Sequence, residues 1–391
     1  MLVLHFVTHL FPPAHGGLEA WLLRLARLLQ SDDVRPIVHI RATPAEFDYA
    51  GATEIENVPV RIVGTSRAEW EEPLLGGTNS ERLASERWRL DFLALRNTVE
   101  REVAAAPAGR HVLVSTSLLP EGFIAQRVAD SLALQHVACA LGSDFSRFFH
   151  DPLTHTAVAA VVLGATSVVT INGEQERAFR RIGATRIRTI HLSVPDPGGA
   201  RWQRGTRTGA SLFSDGGYSH KKGTQVLLRA FGALRDEGLP LRLTICGDMQ
   251  AGQESYWRAV RADYRARYGD AVTLEDYVEP RLLRNVVQDH DVYCLATLGE
   301  GCSLARMARL CAGMPMVTTR CGEIPDVASG VSHVRTAAPA DAAGFLDALR
   351  RACVDLLDGS ITIDSGVVER WQTHFSPVRE REDWLALLAQ L

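Results

Sequence analysis

Two kinds of hydrophobic pattern alternate along the chain. Short, nearly continuous apolar runs, of which Leu2–Thr8 is the first, are typical of strands that helices cover on both faces. Between these runs, apolar residues recur every three or four positions, as on one face of a helix. In the first such segment they are Leu18, Trp21, Leu22, Leu25, Leu28 and Leu29. The alternation predicts an α/β protein with largely parallel sheets.

The pattern divides the first half of the chain into a series of elements. The predicted strands are Leu2–Thr8, Arg35–Ile40, Val58–Val63, His111–Ser115, His136–Leu141, Ser167–Ile171 and Arg188–Leu192. The predicted helices are Leu18–Leu29, Glu86–Ala106 and Glu121–Leu134. The stretch from Pro152 to Gly173 contains no Asp, Glu, Lys or Arg, but its Thr, Ser and His content favours a buried helix followed by a strand over a membrane span.

Ser193–Ala210 is rich in Gly, Pro and Arg, breaks every period, and is predicted to be an interdomain linker. The alternation then restarts. The predicted strands are Ser211–Ser214, Leu241–Cys246, Val272–Leu274, Asp291–Leu295 and Met316–Thr319. The predicted helices are Thr224–Glu237, Ser255–Tyr268, Arg281–Gln288, Leu304–Ala312, Asp341–Leu357 and Val378–Leu391. The two runs predict two doubly wound, Rossmann-like domains, residues 1–195 and 205–375.

Composition narrows the class of protein. The 391 residues are 46% hydrophobic and 23% charged, as in an ordinary globular protein, and the net charge of −4 gives no basic excess for nucleic acid. Seven cysteines without a C-x-x-C pair predict small buried side chains in a reducing compartment. The apolar N-terminal run is too short for a signal peptide. We therefore expect a cytoplasmic protein. Its membrane contact would be peripheral at most, because Glu86–Ala106 mixes acids with its arginines.

Four loops follow predicted strands, at the edge where open α/β sheets bind ligands. Gly16 and Gly17 begin a helix, where backbone N–H groups can approach an anion, although a Gly-Gly turn is also a simple tight connection. Lys221 and Lys222 precede another helix, where they either bind phosphate or are solvated surface side chains. The other two loops contain Glu300 and Asp144.

The Glu300 loop has the sequence Leu-Gly-Glu-Gly-Cys-Ser-Leu, from Leu298 to Leu304. Ser303 is a candidate N-cap for the next helix, which would leave backbone N–H groups aimed at a ligand oxygen. Glu300 is placed to accept hydrogen bonds from sugar hydroxyls, or it is an ordinary loop acid.

Taken together and in order, these segments resemble the retaining family 4 glycosyltransferases of the GT-B fold. The resemblance covers nearly the whole chain. The matching segments are Pro-x-x-x-Gly-Gly-x-Glu at Pro12–Glu19, Lys222-Gly223, Ile245-Cys246-Gly247-Asp248, Glu300-Gly301-x-Ser303-Leu304, Ala312-Gly313-x-Pro315 and Gly322-x-Ile324-Pro325.

The resemblance implies a fold and an activity. Two Rossmann-like domains would face a central cleft, with the C-terminal helix 376–391 packing back on the first domain. The activity would be sugar transfer with retention, from a nucleotide-sugar co-substrate to an unidentified acceptor, without metal or other cofactor. We expect catalytic roles for Lys222, Glu300 and Asp144. We expect donor or phosphate binding by Gly16, Gly17, Gly301, Cys302, Ser303, Leu304 and Lys221.

Two departures from the family pattern leave other functions open. A second Glu, expected eight residues after Glu300, is replaced by Ala308, and an Arg expected five or six residues before Lys222 is replaced by Gly217 or Gly216. Lys221, Arg306 and Glu323 are candidates to compensate. The alternatives are a catalytically inactive homologue that binds a partner or ligand, and an enzyme of this fold with an unusual donor. The Ala308→Glu variant separates an enzyme with an ordinary nucleotide-sugar donor from both alternatives. A weakened ribose pocket would bind nucleotide more tightly with Glu at position 308, whereas a reshaped or closed pocket would only be destabilised.

Overall fold

The computed structural model describes residues 1–9, 11–13, 16–41, 53–63, 78–142, 145–199, 201–204, 208–278 and 288–391, with the side chains of 78–87 and 147 excepted. The chain forms two compact units. The first consists of Met1–Leu192 and Glu380–Leu391, and the second of Ser193–Arg379. Of the predicted elements, the helix Arg281–Gln288 lies almost wholly outside the described residues.

The first unit is built on a mostly parallel sheet. Its strands are β1 (Leu2–Thr8), β2 (Val34–Ile40), β3 (Glu54–Ile55), β4 (Val58–Ile62), β5 (Arg110–Ser115), β6 (Gln135–Ala140), β7 (Ser167–Thr170) and β8 (Ile187–Thr189). They lie in the order β3-β4-β2-β1-β5-β6-β7-β8, with only β3 and β4 antiparallel among the described pairs. From β1 the chain builds the sheet first to one side and then to the other, as in a doubly wound fold.

The helices of the first unit follow from their apolar faces. They are α1 (Gly17–Leu29), α2 (Thr78–Ala105), α3 (Phe123–Leu132), α4 (His155–Gly164) and α5 (Gly173–Arg181). Helix α5 is absent from the sequence prediction because it is mostly charged and buries only Gln175, Ala178 and Phe179. Its start is nevertheless encoded, since the Asn172 side chain accepts a hydrogen bond from the Gln175 N–H at 2.9 Å.

The second unit has a parallel sheet of the same kind. Its strands are β9 (Ala210–Ser214), β10 (Leu241–Ile245), β11 (Val272–Leu274), β12 (Val292–Leu295), β13 (Met316–Thr319) and β14 (Val334–Ala337), in the order β11-β10-β9-β12-β13-β14. Its helices are α6 (Thr224–Asp236), α7 (Glu254–Tyr268), α8 (Leu304–Cys311), α9 (Ile324–Val327), α10 (Ala342–Leu357) and α11 (Ser365–His374). The pattern missed β14, α9 and α11, which are short or mostly polar.

The last helix, α12 (Pro377–Gln390), begins in the second unit, and its residues from Glu380 onward belong to the first. Trp384 is buried there. The Trp21 indole N–H donates to Glu380 Oε1 at 2.6 Å, and Arg110 donates to the carbonyl oxygen of Leu388 at 2.5 Å. The end of the chain is therefore part of the packing of the first unit.

These observations confirm the predicted α/β class and the two doubly wound, largely parallel sheets. None of the helices in the described part of the chain combines the length and the apolar content that a membrane span needs.

Candidate functional site

Two loops of the second unit meet at the carboxyl edge of its sheet, after the neighbouring strands β9 and β12. The Leu298 N–H donates to the carbonyl oxygen of Lys221 at 2.8 Å, and the Thr297 hydroxyl donates to the same oxygen at 3.0 Å. These bonds fix residues 219–223 against residues 297–300. The edge is the one at which ligands bind in open α/β sheets.

An ion pair lies at the centre of this edge. Lys222 Nζ donates to Glu300 Oε1 at 2.6 Å, and the Thr297 hydroxyl oxygen lies 3.2 Å from the same oxygen. The Lys222 side chain is 32% exposed and that of Glu300 is 9% exposed. Burial raises the pKa of Glu300, but the charge and hydrogen bond of Lys222, together with Arg306 and Lys221, outweigh it, so the net pKa is below its ordinary value. Glu300 is therefore an ionised carboxylate paired with a lysine whose side chain is partly exposed.

Gly223 allows the lysine loop to reach this position. Its φ is +68°, and a Cβ atom there would run into the carbonyl oxygen of Ala296 at the end of β12. Only glycine accepts both conditions. The Lys222 N–H donates to the Ser219 hydroxyl at 3.1 Å, which holds the turn before α6 begins.

The predicted N-cap of α8 is confirmed, because the Ser303 hydroxyl accepts from the Arg306 N–H at 3.3 Å. Arg306 and Glu323 form a fully buried ion pair, with Nε and Oε1 3.0 Å apart. Burial opposes the guanidinium charge, but Glu323 more than offsets it and raises the pKa of Arg306. Each charge is matched by the other, so neither compensates for a missing donor-site charge. Lys221 is exposed, and compensation by Lys221 for that charge stays a hypothesis.

The loop after β13 packs closely against the Glu300 loop. Gly322 has a φ of +63°, and a Cβ atom there would come within 2.7 Å of the Gly301 carbonyl oxygen and 2.8 Å of the Glu300 carbonyl oxygen. This close packing sets the position of Gly301 and Cys302, which are half-buried. Leu304, also half-buried, is the first residue of α8.

The loop geometry explains one departure from the family pattern. Gly217 has a φ of +67°, and a Cβ atom there would lie 2.6 Å from the carbonyl oxygen of Asp248. At Gly216 a Cβ atom would lie 2.7 Å from the Leu295 side chain. At Gly217 the loops after β9 and β10 pack too closely for an arginine, because the contact falls on backbone. At Gly216 the contact falls on the end of the flexible Leu295 side chain on β12, which can move, so packing alone does not exclude a side chain there. The other departure, Ala308, is half-buried on α8 and packs against the core of the second unit.

A cavity of about 720 Å³ opens at the carboxyl ends of β10 and β11 in the same unit. Its lining is Asp248, Met249, Glu254, Arg258, Arg261, Ala262, Arg265 and Asp276. Arg261 is already engaged, since it donates to Asp276 and, at 2.6 Å, to the carbonyl oxygen of Leu274. The volume is in the range of small-molecule pockets.

The other predicted site residues belong to the first unit. Gly17 begins α1, and the buried Glu19 carboxylate folds back over Gly16 at the start of that helix. A negative charge of the protein itself thus occupies the space beside these two glycines. Asp144 lies outside the described residues. The structure therefore brings together Lys221, Lys222 and the 300–304 loop, all in the second unit.

The sequence reasoning missed a buried ionic cluster in the first unit. Arg41 follows β2 and donates to Glu121 Oε1 at 2.6 Å and to Asp91 Oδ2 at 2.9 Å, and all three are buried. Burial raises the pKa of Glu121, but Arg41 and His9, together with the Ser117 hydrogen bond, bring it below its ordinary value. The one feature of the sequence that could have indicated this cluster is Arg41, a charged residue directly after an apolar strand.

Residues 211–355 match the family described as "Glycosyl transferases group 1". These residues include β9 to β14 and both loops of the Lys222–Glu300 pair. No functionally curated protein sequence matches the chain significantly.

Solved structures resemble the chain over its full length. HepE from Anabaena, in complex with UDP and glucose, is 14% identical with a TM-score of 0.74, and 100% of each chain is covered. Sucrose-phosphate synthase from Thermosynechococcus elongatus is 15% identical with a TM-score of 0.73, and 100% of this chain and 99% of that one are covered. Trehalose-6-phosphate from E. coli, bound with UDP-2-fluoro glucose, is 12% identical with a TM-score of 0.70 and the same coverage. At these identities the likeness shows the fold, and it confirms the GT-B prediction.

Proposed function

We propose that the chain is a retaining glycosyltransferase that takes its sugar from a nucleotide-linked donor. The observation that carries the proposal is the Lys222–Glu300 pair, with a partly exposed ammonium group above a buried carboxylate at the ligand-binding edge of the second sheet. An ammonium group suits a diphosphate, and a carboxylate suits the hydroxyl groups of a sugar. Both groups lie within the segment that matches the glycosyltransferase family.

The proposed chemistry depends on stabilising the leaving group. As the glycosidic bond breaks, positive charge develops at the anomeric carbon and negative charge gathers on the diphosphate. Lys222 and the N–H groups at the start of α8 supply preorganised positive charge for that diphosphate. Glu300 accepts hydrogen bonds from the sugar. The acceptor hydroxyl adds to the anomeric carbon with retention, and the leaving diphosphate accepts its proton. We propose no resident metal or other cofactor.

The comparisons support a nucleotide-sugar donor. Similar structures hold UDP with glucose, UDP-glucose, and UDP-2-fluoro glucose. We propose a donor of this class for the present chain, acting in the cytoplasm on a small-molecule or glycan acceptor.

The test compares two adjacent lysines. Lys222→Ala removes the proposed diphosphate ligand and is expected to lower turnover about a hundredfold or more, the usual cost of losing one preorganised transition-state donor. Lys221→Ala removes the adjacent lysine, for which donor binding is also expected but which lies outside the ion pair and is exposed, and it is expected to cost less than about tenfold. Turnover is measured as nucleotide release from a panel of nucleotide-sugars. Equal turnover in the Lys222→Ala and wild-type proteins would refute the assignment.

The same pair alters the expected stability of the Lys222→Ala protein. A lysine in a loop has little packing to lose, but here its removal leaves a 9% exposed carboxylate without its cation. We therefore expect the Lys222→Ala protein to have a modestly lower melting temperature as well as a lower turnover. The alternative, an inactive homologue that binds a partner, is favoured by Ala308 and predicts no turnover with any donor.

A further inference from the structure

In this structure the proposed phosphate-binding lysine already has an anionic partner. Glu300 Oε1 accepts from Lys222 and lies 3.2 Å from the Thr297 hydroxyl oxygen, whereas Oε2 makes no hydrogen bond with any described residue. Glu300 is nearly buried, and Lys222 is the more accessible member of the pair. A phosphate that approaches Lys222 must therefore compete with a carboxylate of the protein.

In the described part of the chain, no other cation near Glu300 is an equivalent replacement for Lys222. Arg306 is held by Glu323 in a fully buried pair, and Lys221 is exposed on the neighbouring position of the loop. When Lys222 turns to a phosphate, the Glu300 carboxylate loses its closest cation and gains an anionic neighbour. A buried charge without a partner is costly, so a diphosphate alone binds against this opposition.

A sugar attached to the diphosphate changes the balance. The sugar hydroxyl groups can donate to both carboxylate oxygens of Glu300, Oε1 and Oε2. Glu300 then keeps hydrogen-bond partners while Lys222 binds the phosphate. We propose that the Lys222–Glu300 pair makes the site select the intact nucleotide-sugar over the free nucleoside diphosphate, and thereby favours release of the spent nucleotide. This inference rests on the proposed function.

The experiment measures dissociation constants by calorimetry. The probes are UDP, GDP, ADP and dTDP, each beside its glucose conjugate. Glu300→Gln keeps the shape of the side chain but removes its charge, so its amide competes poorly for Lys222. We expect Glu300→Gln to bind the free nucleoside diphosphate about tenfold more tightly than the wild type does. Its affinity for the glucose conjugate should show no such increase. Glu237→Gln is the control, because it also removes a carboxylate from an ion pair of this unit, the exposed pair with Arg350.

A second readout needs no variant. Lys222 holds the pKa of Glu300 down, with smaller help from Arg306 and Lys221, and the pKa rises when Lys222 leaves. Binding of the free diphosphate should therefore take up more protons in the wild type than in Glu300→Gln, most clearly toward acid pH. The heat of binding, compared in two buffers of different ionisation enthalpy, reports that uptake, and the difference between the two proteins cancels the titration of the nucleotide's own phosphate. This difference should be smaller for the glucose conjugate.

The outcomes separate the two proposals. If no probe binds the wild type or either variant, the proposed function fails and the inference fails with it. If a probe binds, but Glu300→Gln prefers the free diphosphate no more than the wild type does, the proposed function stands and the inference is wrong. The same difference in proton uptake between the wild type and Glu300→Gln for both forms of the nucleotide would also overturn it.

Discussion

At the scale of single residues, glycines decide which charges this site can hold. Gly217 combines a φ of +67° with a carbonyl oxygen 2.6 Å from any added Cβ atom. We expect Gly217→Ala to lower the free energy of unfolding by about 1–3 kcal/mol beyond the cost of its φ alone, because the clash falls on backbone. Gly252→Ala is the matched control, since Gly252 has a φ of +76° with no heavy atom within 4 Å. Urea unfolding of both variants measures the difference, and equal losses would show that the loops yield to the side chain.

The residues of the donor site were largely predictable, and their contacts were not. Lys222, Glu300 and Ser303 stand at loop positions that the hydrophobic pattern and the family motifs mark. Their pairing depends on β9 and β12 being neighbours, which no local pattern encodes. The same holds for Arg306, a candidate ligand by sequence that is instead matched by Glu323 in the core.

At the scale of elements, three neighbouring strands of the first sheet share a chain of buried histidines. His5 on β1 lies 3.0 Å from both His39 on β2 and His111 on β5, measured between ring nitrogens. His111 Nε2 donates to the carbonyl oxygen of Ala106 at 3.0 Å. One proton arrangement then satisfies every link, with His39 donating to His5 and His5 to His111, and with all three rings neutral.

This histidine chain predicts a loss of stability in acid. Burial, with a smaller effect of Arg61, lowers the pKa of His39 to about 3, and burial with the other two rings lowers that of His5. Below the ordinary pKa of about 6.5 the unfolded chain takes up protons that the folded protein refuses. Stability is therefore full above that pH and falls toward pH 3, by about 1.4 kcal/mol per pH unit for each of His5 and His39.

The measurement is urea unfolding at a series of pH values between about 7 and about 5. His39→Gln should remove roughly one proton from the pH dependence of the free energy of unfolding. His150→Gln changes an exposed ring and serves as the control. An unchanged slope in the His39→Gln protein would mean that the ring is accessible to protons in the folded state.

The elements that the sequence failed to predict share one physical property. Helices α5 and α11 are mostly polar, and each begins at a side-chain cap, Asn172 and Asp364 respectively. Their stability comes from a few buried side chains and a cap rather than from a wide apolar face. Periodicity finds long amphipathic helices such as α6 and continuous strands such as β1, and it misses elements with so few apolar positions.

At the scale of the whole molecule, one chain builds two sheets of the same design. Each begins with a central strand, β1 or β9, and grows to one side and then to the other. The restart of the alternation near residue 210 was enough to predict both. The last helix gives its final residues to the first unit, where Trp384 is buried. The second unit contains the Lys222–Glu300 pair and the matched family segment, and we propose that it binds the donor.

Hydrogen–deuterium exchange with a bound nucleotide-sugar tests the central claim most directly, because it reports where on the chain the donor lies. The donor is whichever member of the panel raises the melting temperature. Slower exchange is expected in residues 219–223 and 299–304, the loops that hold Lys222 and Glu300, and the effect should be lost in Lys222→Ala. A donor that binds the wild-type protein and leaves exchange in both loops unchanged would contradict the account.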